Sequence, residues 1–324
     1  MNADRTRTVS VLIPTLNAAQ WLPEQLEALH MQTAKIAEIV IIDSQSEDDT
    51  CEIVAADSLC RVMHVQRADF DHGAVRDAAA RTCESDYLWF LTQDAIPADP
   101  ICLEELLKAV QDESVACAYG RQLASQKAGR IEQLNREMNY PERSFVRTAA
   151  DIPSLQIRAF FLSNTCCLYK RDIYLRCGGF QHELPTNEDM LMAASFLQQG
   201  YATAYCAAAC VWHTHRQTIR QWYRRSFDIG AFMEMFRGRL KGVQALGEGR
   251  KYVFTMSCRL LREGRVVSLL HFALICAARL LGDRAGHHYL RFSEHALLRR
   301  TQNPSFWVRY CNDHAAAYTN DTRS

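Results

Sequence analysis

The sequence lacks the short motifs that identify several common classes of enzyme. It contains neither G-x-G-x-x-G nor G-x-x-x-x-G-K-[ST], so we expect neither a Rossmann dinucleotide site nor a P-loop. Its 13 cysteines include no C-x-x-C pair, and several, such as Cys166 and Cys167, lie in apolar runs. This predicts small buried thiols in a reducing cytoplasm. The sequence also lacks internal repeats, a low-complexity linker and the pattern of a signal peptide.

The formal net charge of the chain is zero, because 37 basic side chains balance 37 acidic ones. The balance is uneven along the chain: between Arg216 and Cys311 there are 18 Lys or Arg against 6 Asp or Glu. A basic C-terminal segment predicts an anionic partner, either a phospholipid surface or nucleic acid. The longest uncharged apolar run of this segment, Val266 to Ala278, has 13 residues. A bilayer needs about 20, so we expect no membrane span here.

Apolar runs and amphipathic segments alternate over the first 120 residues. The apolar runs VSVLIPT, EIVIID, RVMHVQ and DYLWFLTQD predict strands that are buried on both faces, with a helix after each. This alternation predicts an α/β fold with a Rossmann-like, mostly parallel sheet flanked by helices. FFLSNTCCLYKRD and ATAYCAAACVWHTH predict two later strands. Helical periodicity beyond Gln217 predicts a helical C-terminal extension, so we divide the chain into a catalytic domain, 1–215, and a basic helical region, 216–324.

The predicted strands end in polar residues. In open α/β sheets ligands bind beyond the carboxyl ends of the strands. Here those ends read PTLN, DSQS and QD, and Asp43 and Asp94 are their carboxylates. Glu188-Asp189 opens a later predicted helix, and two histidines follow the last predicted strand. Carboxylate oxygens with a histidine suit Mg²⁺ or Mn²⁺, which would neutralise the charge of a leaving diphosphate.

A series of ordered motifs resembles one known family. From Thr8 to Thr218 the chain resembles glycosyltransferase family 2, which has the GT-A fold, through VSVLIPTLN, IVIIDSQSEDDT, FDHGAVRD, FLTQDAIP, GGF, NEDMLM and VWHTH. FDHGAVRD and LTQDAIP, with ARLLGDRAG and NPSFW near the C-terminus, are similar to its bacterial rhamnosyltransferase branch. The resemblance implies a nucleotide-sugar site at the strand ends.

For the donor, the resemblance implies roles at four positions. Thr15, Asn17 and Asp43 match positions that hold the pyrimidine nucleoside of the donor. Arg76 matches a position near the donor diphosphate.

For metal binding and catalysis, the resemblance implies roles for two acids and a histidine. Asp94 matches the last acid of the family's DxD-type metal motif. His213 matches a histidine that can complete the metal site, and His215 is the other candidate. Asp189 matches the catalytic base of the family's ED motif.

The resemblance implies an inverting transferase that moves L-rhamnose from dTDP-β-L-rhamnose to a saccharide or a polyprenyl-diphosphate-linked saccharide in cell-surface polysaccharide synthesis. Such an enzyme would be cytoplasmic and peripheral at the inner face of the bacterial plasma membrane, and would not bind nucleic acid. Its basic segment would contact the acceptor, anionic lipid or a second copy of the chain.

Two alternatives remain open on sequence alone. A non-catalytic saccharide-binding or assembly protein would not need Asp94, Asp189 and His213 together. A nucleotidyltransferase usually has a Gly-rich loop with a basic residue after its first strand, where this chain reads PTLNAAQ.

Overall fold

The computed structural model describes residues 7–125, 127–214, 217–239 and 248–314. The chain forms two compact units. The first comprises Met1–Ala128, Arg136–Gln181 and Glu188–Thr214, and the second comprises Gly129–Asn135, His182–Asn187 and His215–Ser324.

The described residues of the first unit form a nine-stranded mixed sheet. In chain order its strands are β1 Val9–Thr15, β2 Glu38–Asp43, β3 Cys60–His64, β4 Tyr87–Leu91, β5 Ile96–Pro97, β6 Val115–Leu123, β7 Phe145–Arg147, β8 Cys166–Lys170 and β9 Ala202–Trp212. The spatial order is β3-β2-β1-β4-β8-β6-β9-β5, and β7 pairs with β9. Strands β3, β2, β1 and β4 are parallel, as are β6 and β9, whereas β8 is antiparallel to both of its neighbours.

Helices flank this sheet. They are α1 Leu22–His30, α2 Thr50–Ala55, α3 His72–Thr82, α4 Cys102–Ala109, α5 Arg130–Asn139, α6 Ile152–Leu155, α7 Arg171–Arg176 and α8 Glu188–Gln198, and the first six residues of α5 belong to the second unit. The predicted α/β class is confirmed, but the later strands depart from the parallel pattern. Between β6 and β8 the chain makes short helices and the short strand β7, so β8 enters the sheet in the reverse direction.

The parallel strands owe their formation to burial on both faces. Successive side chains of a strand point to opposite faces. Val11, Leu12 and Ile13 of β1 are all fully buried, and so are the corresponding runs of β2 and β4. This explains why these strands read as continuous apolar runs. Strand β3 lies at the edge of the sheet, and most of its residues are only half-buried.

The second unit contains the helices α9 Ile219–Met235, α10 Glu248–Arg262, α11 Val266–His287, α12 Glu294–Arg300 and α13 Pro304–Asp313. Buried aromatic side chains, among them Phe227 and Trp307, form its core. Asp228 of α9 lies beside them and accepts hydrogen bonds from Thr301 Oγ1, Gln302 N and Trp307 Nε1 at 2.6, 2.8 and 3.1 Å. Burial raises the pKa of Asp228 to about 6, so these donors are needed to keep its charge in the interior.

Helices α9 and α11 approach each other closely at three glycines. A Cβ atom at Gly282 would lie 2.2 Å from Tyr223 O, one at Gly286 would lie 2.1 Å from Phe227 O, and one at Gly230 would lie 2.3 Å from Asp283 O. Only residues without a side chain permit this separation of the two backbones.

Helix α11 is longer than the 13-residue apolar run from which we excluded a membrane span. It continues past Arg279 to a length of 22 residues. Of the described helices, it is the one whose length and composition alone would allow it to cross a bilayer.

The glycine contacts predict a large stability difference between two Gly→Ala substitutions. Gly286→Ala should lower the free energy of unfolding by about 3 kcal/mol, because the added Cβ would overlap the backbone of α9. Gly249→Ala in α10 is the matched control. Its added Cβ meets no atom within 4 Å, and alanine favours helix by about 0.5–1 kcal/mol. Urea unfolding of both variants tests this, and equal stability of the two would contradict the packing described here.

Candidate active site

The loops that follow β1 and β2 meet at a buried carboxylate. Thr15 and Asp43 are paired in the β1–β2 register, and Thr15 Oγ1 donates to Asp43 Oδ1 at 3.3 Å. Asp43 also accepts from the backbone N and Oγ of Ser46, at 3.1 and 2.5 Å. Asn17 N donates to Ser46 Oγ, and Asn17 Oδ1 accepts from Glu47 N, both at 2.9 Å. The structure thus brings Thr15, Asn17 and Asp43 together. We call this group of three residues the nucleoside corner.

A second group of potential metal ligands lies at this corner, and the sequence alone did not indicate it. Asp43, Cys51 and His64 each offer one potential metal ligand, and these atoms lie within 4.8 Å of one another. The set includes a thiol, which favours softer ions than Mg²⁺. Burial, and then the charge of Asp43, raise the pKa of the Cys51 thiol. A cation would therefore have to displace a proton from Cys51 in order to bind.

Asp94 lies in a tight turn beyond the end of β4. Ala95 N donates to Thr92 O at 3.0 Å, which closes the turn. The side-chain amide of Gln93 bonds both backbone groups of Leu16, at 2.8 Å to N and 3.2 Å to O, and fixes the turn against the loop after β1. The register then places Asp94 near His213, because Ile96 of β5 pairs with Trp212 of β9.

The side chains of Asp94 and His213 face each other. Asp94 Oδ2 lies 3.3 Å from His213 Nε2, and the two side chains are only 10% and 5% exposed. Two sequence-predicted ligands are therefore adjacent and shielded from bulk water. The alternative candidate, His215, lies outside the described residues.

The ring nitrogen of His213 that faces away from Asp94 contacts Gln122 and Arg136. Arg136 Nη1 donates to Gln122 Oε1, and Gln122 Nε2 donates to Ser163 Oγ at 2.9 Å. Arginine has only donors, so the atom of Gln122 beside it must be the oxygen. This oxygen lies 2.8 Å from His213 Nδ1 and accepts from it in the tautomer that carries the hydrogen on Nδ1. Arg136 Nη2 also lies 3.1 Å from Nδ1, a contact that suits the other tautomer.

In the tautomer with the hydrogen on Nδ1, His213 Nε2 presents a lone pair towards the carboxylate of Asp94, as a shared metal ion would require. A histidine that ligates a metal typically donates its other N–H to an oxygen acceptor, as His213 does to Gln122. A carboxylate oxygen and an imidazole nitrogen suit Mn²⁺ and related divalent ions. The residues present therefore fit a divalent cation between Asp94 and His213.

A buried ion pair joins α3 to α8. Arg76 Nη1 lies 2.9 Å from Glu188 Oε1, and these side chains are 5% and 10% exposed. Asn164 Nδ2 donates to the same carboxylate oxygen at 3.2 Å, and Tyr169 Oη donates to Asn164 Oδ1 at 2.7 Å. Burial alone would raise the pKa of Glu188, but the charges of Arg76 and His72 and the hydrogen bonds to the carboxylate together outweigh burial and lower that pKa. Glu188 is therefore an ionised partner of Arg76 at neutral pH.

Asp189 follows directly in the chain and has the opposite electrostatic environment. Burial, and then the negative charge of Glu188, raise the pKa of Asp189 to about 7. Its oxygens accept from Met190 N at 2.8 Å and Asn164 N at 3.3 Å. Asp189 is only partly buried, so its carboxyl group can still reach a substrate. A carboxylate with a pKa near neutrality is suited to take a proton from a hydroxyl group.

Adjacent residues connect the two centres. Ser163 contacts Gln122 behind the Asp94–His213 pair, and Asn164 contacts Glu188 and Asp189. Gln122, Arg136, Ser163 and Asn164 were not among the residues predicted from the sequence. The polar SNT segment in front of the buried strand CCLYK was a signal for Asn164, and a buried glutamine in GRQL was one for Gln122. Arg136 lies in a segment without clear periodicity and gave no signal.

The carboxylate of Asp77, the neighbour of Arg76, is held by hydrogen bonds within the fold. It accepts from Tyr174 Oη and Arg81 Nε, both at 2.9 Å. A Cβ at Gly179, where φ is +77°, would lie 2.1 Å from Asp77 Oδ1. The GGF motif is thus a turn that closes over Asp77.

Comparison with known proteins identifies relatives of the whole chain. The family model "Glycosyl transferase family 2" matches residues 10–178. The O-antigen chain rhamnosyltransferase RfbN of Salmonella typhimurium is 34% identical over 87% of this chain and 90% of its own length. The O-antigen chain rhamnosyltransferase WbaN of Salmonella anatum is 35% identical over 86% of this chain and 89% of its own.

Solved structures share the fold at low sequence identity. S. aureus TarS (residues 1–349) has a TM-score of 0.55 and 16% identity, covering 96% of this chain and 81% of its own. The mannosyltransferase PcManGT of Pyrobaculum calidifontis, solved with GDP-Man and Mn²⁺, has a TM-score of 0.56 and 16% identity, covering 98% of this chain and 82% of its own. A divalent metal is common among GT-A enzymes.

The two Salmonella relatives are rhamnosyltransferases by name, which favours a sugar transferase over the two alternatives that the sequence left open, a nucleotidyltransferase and a non-catalytic saccharide-binding protein. The match of the family model over half of the chain, together with the two relatives that are similar along nearly their whole length, shows that this chain belongs to glycosyltransferase family 2, in its bacterial rhamnosyltransferase branch.

Proposed function

We propose that this glycosyltransferase transfers L-rhamnose from dTDP-β-L-rhamnose to a hydroxyl group of a saccharide acceptor, with inversion at the anomeric carbon. The observation that carries the proposal is the connection of two centres through Ser163 and Asn164. One centre, Asp94 with His213, suits the diphosphate of a nucleotide sugar. The other is Asp189, whose pKa is raised to about 7 and which suits deprotonation of an acceptor hydroxyl.

The nucleoside corner would hold the pyrimidine nucleoside of the donor. Asp43 is a buried acceptor that can receive the N3–H of thymine, and Thr15 and Asn17 fix the loops around it. Arg76 remains a candidate for the donor diphosphate. Its Nη1 contacts Glu188, and its buried Nε has no hydrogen-bond partner among the described residues. Binding of a phosphate oxygen would satisfy that donor.

Asp94 and His213 would hold Mg²⁺ or Mn²⁺. A divalent cation at this position would neutralise the charge that develops on the leaving dTDP. Gln122 would keep His213 Nε2 unprotonated and directed at the ion, while Gln93 would hold Asp94 in place.

Asp189 would take the proton of the acceptor hydroxyl as that oxygen attacks the anomeric carbon. The new bond joins the acceptor oxygen to C1, and the bond from C1 to the diphosphate oxygen breaks, with both electrons leaving on dTDP. Because attack and departure occur on opposite faces of the sugar, a β-linked donor gives an α-L-rhamnoside. Asn164 would orient Asp189 through its backbone N–H.

The acceptor would be a saccharide on a polyprenyl diphosphate, as in the assembly of a cell-surface polysaccharide. The two Salmonella relatives act, by name, on O-antigen chains, which supports this class of acceptor. An enzyme that uses such an acceptor would work in the cytoplasm, peripheral at the inner face of the plasma membrane. The basic segment after Arg216 would provide contacts with anionic lipid, with the acceptor or with a second copy of the chain.

The proposed function is tested by incubating the purified protein and Mn²⁺ with dTDP-β-L-rhamnose and membrane-extracted lipid-linked saccharides. We expect an α-L-rhamnoside in the NMR spectrum of the product, and much slower transfer from dTDP-glucose, UDP-glucose or GDP-mannose. Faster transfer of another sugar would refute the donor assignment, and a β-linked product would refute inversion.

Substitution of the base should affect turnover and leave donor binding unchanged. Asp189→Asn should lower kcat about 10²- to 10⁴-fold, because the amide cannot accept a proton. In the unsubstituted enzyme kcat/KM should rise with pH and level off above about 7, the raised pKa of Asp189.

Stability gives an independent readout for this variant. A carboxyl group whose pKa is raised on folding loses its stabilising contribution as the pH rises from about 4 to that raised value. Asp189→Asn should therefore resist urea better than the unsubstituted protein at pH 8, and Asp172→Asn, at an exposed site, is the control.

The kinetic prediction has its own contrary outcome. If Asp189→Asn lowered donor affinity in step with kcat, Asp189 would be a donor-binding residue and not the base.

A matched pair of substitutions tests the tautomer of His213. Gln122→Met removes the acceptor for Nδ1–H at similar volume, whereas Gln122→Glu retains an acceptor. We expect Gln122→Met to weaken Mn²⁺ binding about 10- to 100-fold, and Gln122→Glu to weaken it much less. Free Mn²⁺ is measured by electron paramagnetic resonance in the absence of substrates. Equal affinities of the two variants would show that Gln122 does not orient the ligand.

A further inference from the structure

Helix α11 has apolar side chains on both its buried and its exposed sides. The buried side packs within the second unit and consists of Phe272, Ile275, Ala278, Gly282 and Gly286. The other side carries large apolar side chains: Val267 is 83% exposed, Leu270 64%, Leu274 55% and Leu281 59%.

The exposed apolar residues form one continuous face. Their spacing of three, four and seven residues places Val267, Leu270, Leu274 and Leu281 on the same side of the helix. We call them the α11 face. A helix that is apolar all round is normally buried on all sides, and a contiguous exposed patch of this kind marks an interaction site. Among the described residues nothing covers it.

Basic residues surround the start of this face. The last turn of α10, the residues that connect it to α11 and the first residue of α11, which together we call the α10–α11 turn, carry the exposed apolar residues Leu261 and Val266. The same turn contains the exposed arginines Arg259, Arg262 and Arg265. The one acid between them, Glu263, is bridged by Arg130 at 2.7 Å and Arg265 at 3.5 Å. The turn therefore combines protruding apolar side chains with an excess of positive charge.

We propose that the α11 face and the α10–α11 turn insert into the surface of an anionic phospholipid bilayer. Apolar side chains would enter the boundary of the acyl chains, and the three arginines would lie among the phosphate groups. This rests on the proposed function, since it names the surface at which a lipid-linked acceptor would be met.

Charge favours lipid over a second copy of the chain as the occupant. In a symmetric dimer over the α11 face, these arginines would face their own copies if the two helices were parallel. If the helices were antiparallel, they would face the basic last turn of the second α11, with Arg284 and His287. Like charges at an interface are unfavourable in both arrangements. An anionic headgroup region would instead neutralise them, as it does for other basic segments at a membrane surface.

The basic residues of α9 are less suited to this contact. Arg224 Nε donates to Arg299 O at 3.3 Å within the second unit. Trp222 of the same helix lies under the guanidinium of Arg279, 5.4 Å from the ring centroid. Part of the basic and aromatic surface of α9 is therefore engaged in packing within the second unit.

Vesicle co-sedimentation without substrates tests the proposal. The unsubstituted protein should bind phosphatidylcholine vesicles that contain phosphatidylglycerol, and should bind pure phosphatidylcholine vesicles weakly. Val267→Ser with Leu270→Ser should reduce the partition coefficient about 10- to 100-fold, because two inserted side chains are lost. Arg262→Gln with Arg265→Gln should weaken binding and reduce its dependence on salt.

Leu290→Ser is the matched control. Leu290 is 65% exposed and belongs to the same unit but lies outside the α11 face, so its substitution should leave vesicle binding unchanged. Equal losses in the control and in the Val267/Leu270 variant would overturn the proposal. Absence of vesicle binding by the unsubstituted protein would also overturn it, and so would a dimer in sedimentation that Val267→Ser with Leu270→Ser converts to a monomer.

The readouts separate this inference from the proposed function. Rhamnosyl transfer to a short soluble acceptor should be unchanged in the Val267/Leu270 variant. Vesicle binding that follows these expectations while no acceptor is rhamnosylated would refute the proposed function and leave the membrane face standing.

Discussion

The buried ion pair between Arg76 and Glu188 is the interaction on which the candidate site depends. Two consecutive carboxyl groups, Glu188 and Asp189, lie at the start of α8, and two adjacent charges in a poorly solvated place repel each other. Arg76 stabilises one of these charges and so determines the difference between the two acids. Glu188 becomes a permanent anion, and its charge, added to burial, keeps the pKa of Asp189 high enough for a general base. Removal of Arg76 would leave an unpaired buried carboxylate, which costs several kcal/mol.

The hydrogen bonds around the proposed metal-binding pair, Asp94 and His213, also depend on one another. A series of contacts runs from Ser163 through Gln122 to His213. Arg136 fixes the orientation of the Gln122 amide, and this orientation places an acceptor oxygen beside His213 Nδ1. Networks of this kind are costly when one partner is missing. The segment formed by Ser163 and Asn164 serves both centres, so a shift of this short loop would disturb metal binding and proton transfer together.

Candidates for this site could be predicted because strand ends in an α/β sheet converge. The sequence pattern indicated Asp43, Asp94, Asp189 and His213, and the family resemblance added Thr15, Asn17 and Arg76. What could not be predicted depends on contacts between distant parts of the chain. The pairing of Arg76 with Glu188 joins residues 112 positions apart. The antiparallel entry of β8 and the glycine-mediated approach of α9 and α11 likewise depend on tertiary packing, which local periodicity does not encode. The Asp43–Cys51–His64 group went unnoticed because its members lie on three separate elements.

We propose that the metal binds Asp94 and His213 and that the nucleoside corner is left for the base of the donor. The most direct measurement is anomalous diffraction at the manganese edge from crystals soaked with Mn²⁺ and dTDP. We expect one strong peak within bonding distance of Asp94 Oδ2 and His213 Nε2, with thymine density beside Asp43. A peak among Asp43, Cys51 and His64 instead, or manganese bound away from both groups, would contradict it.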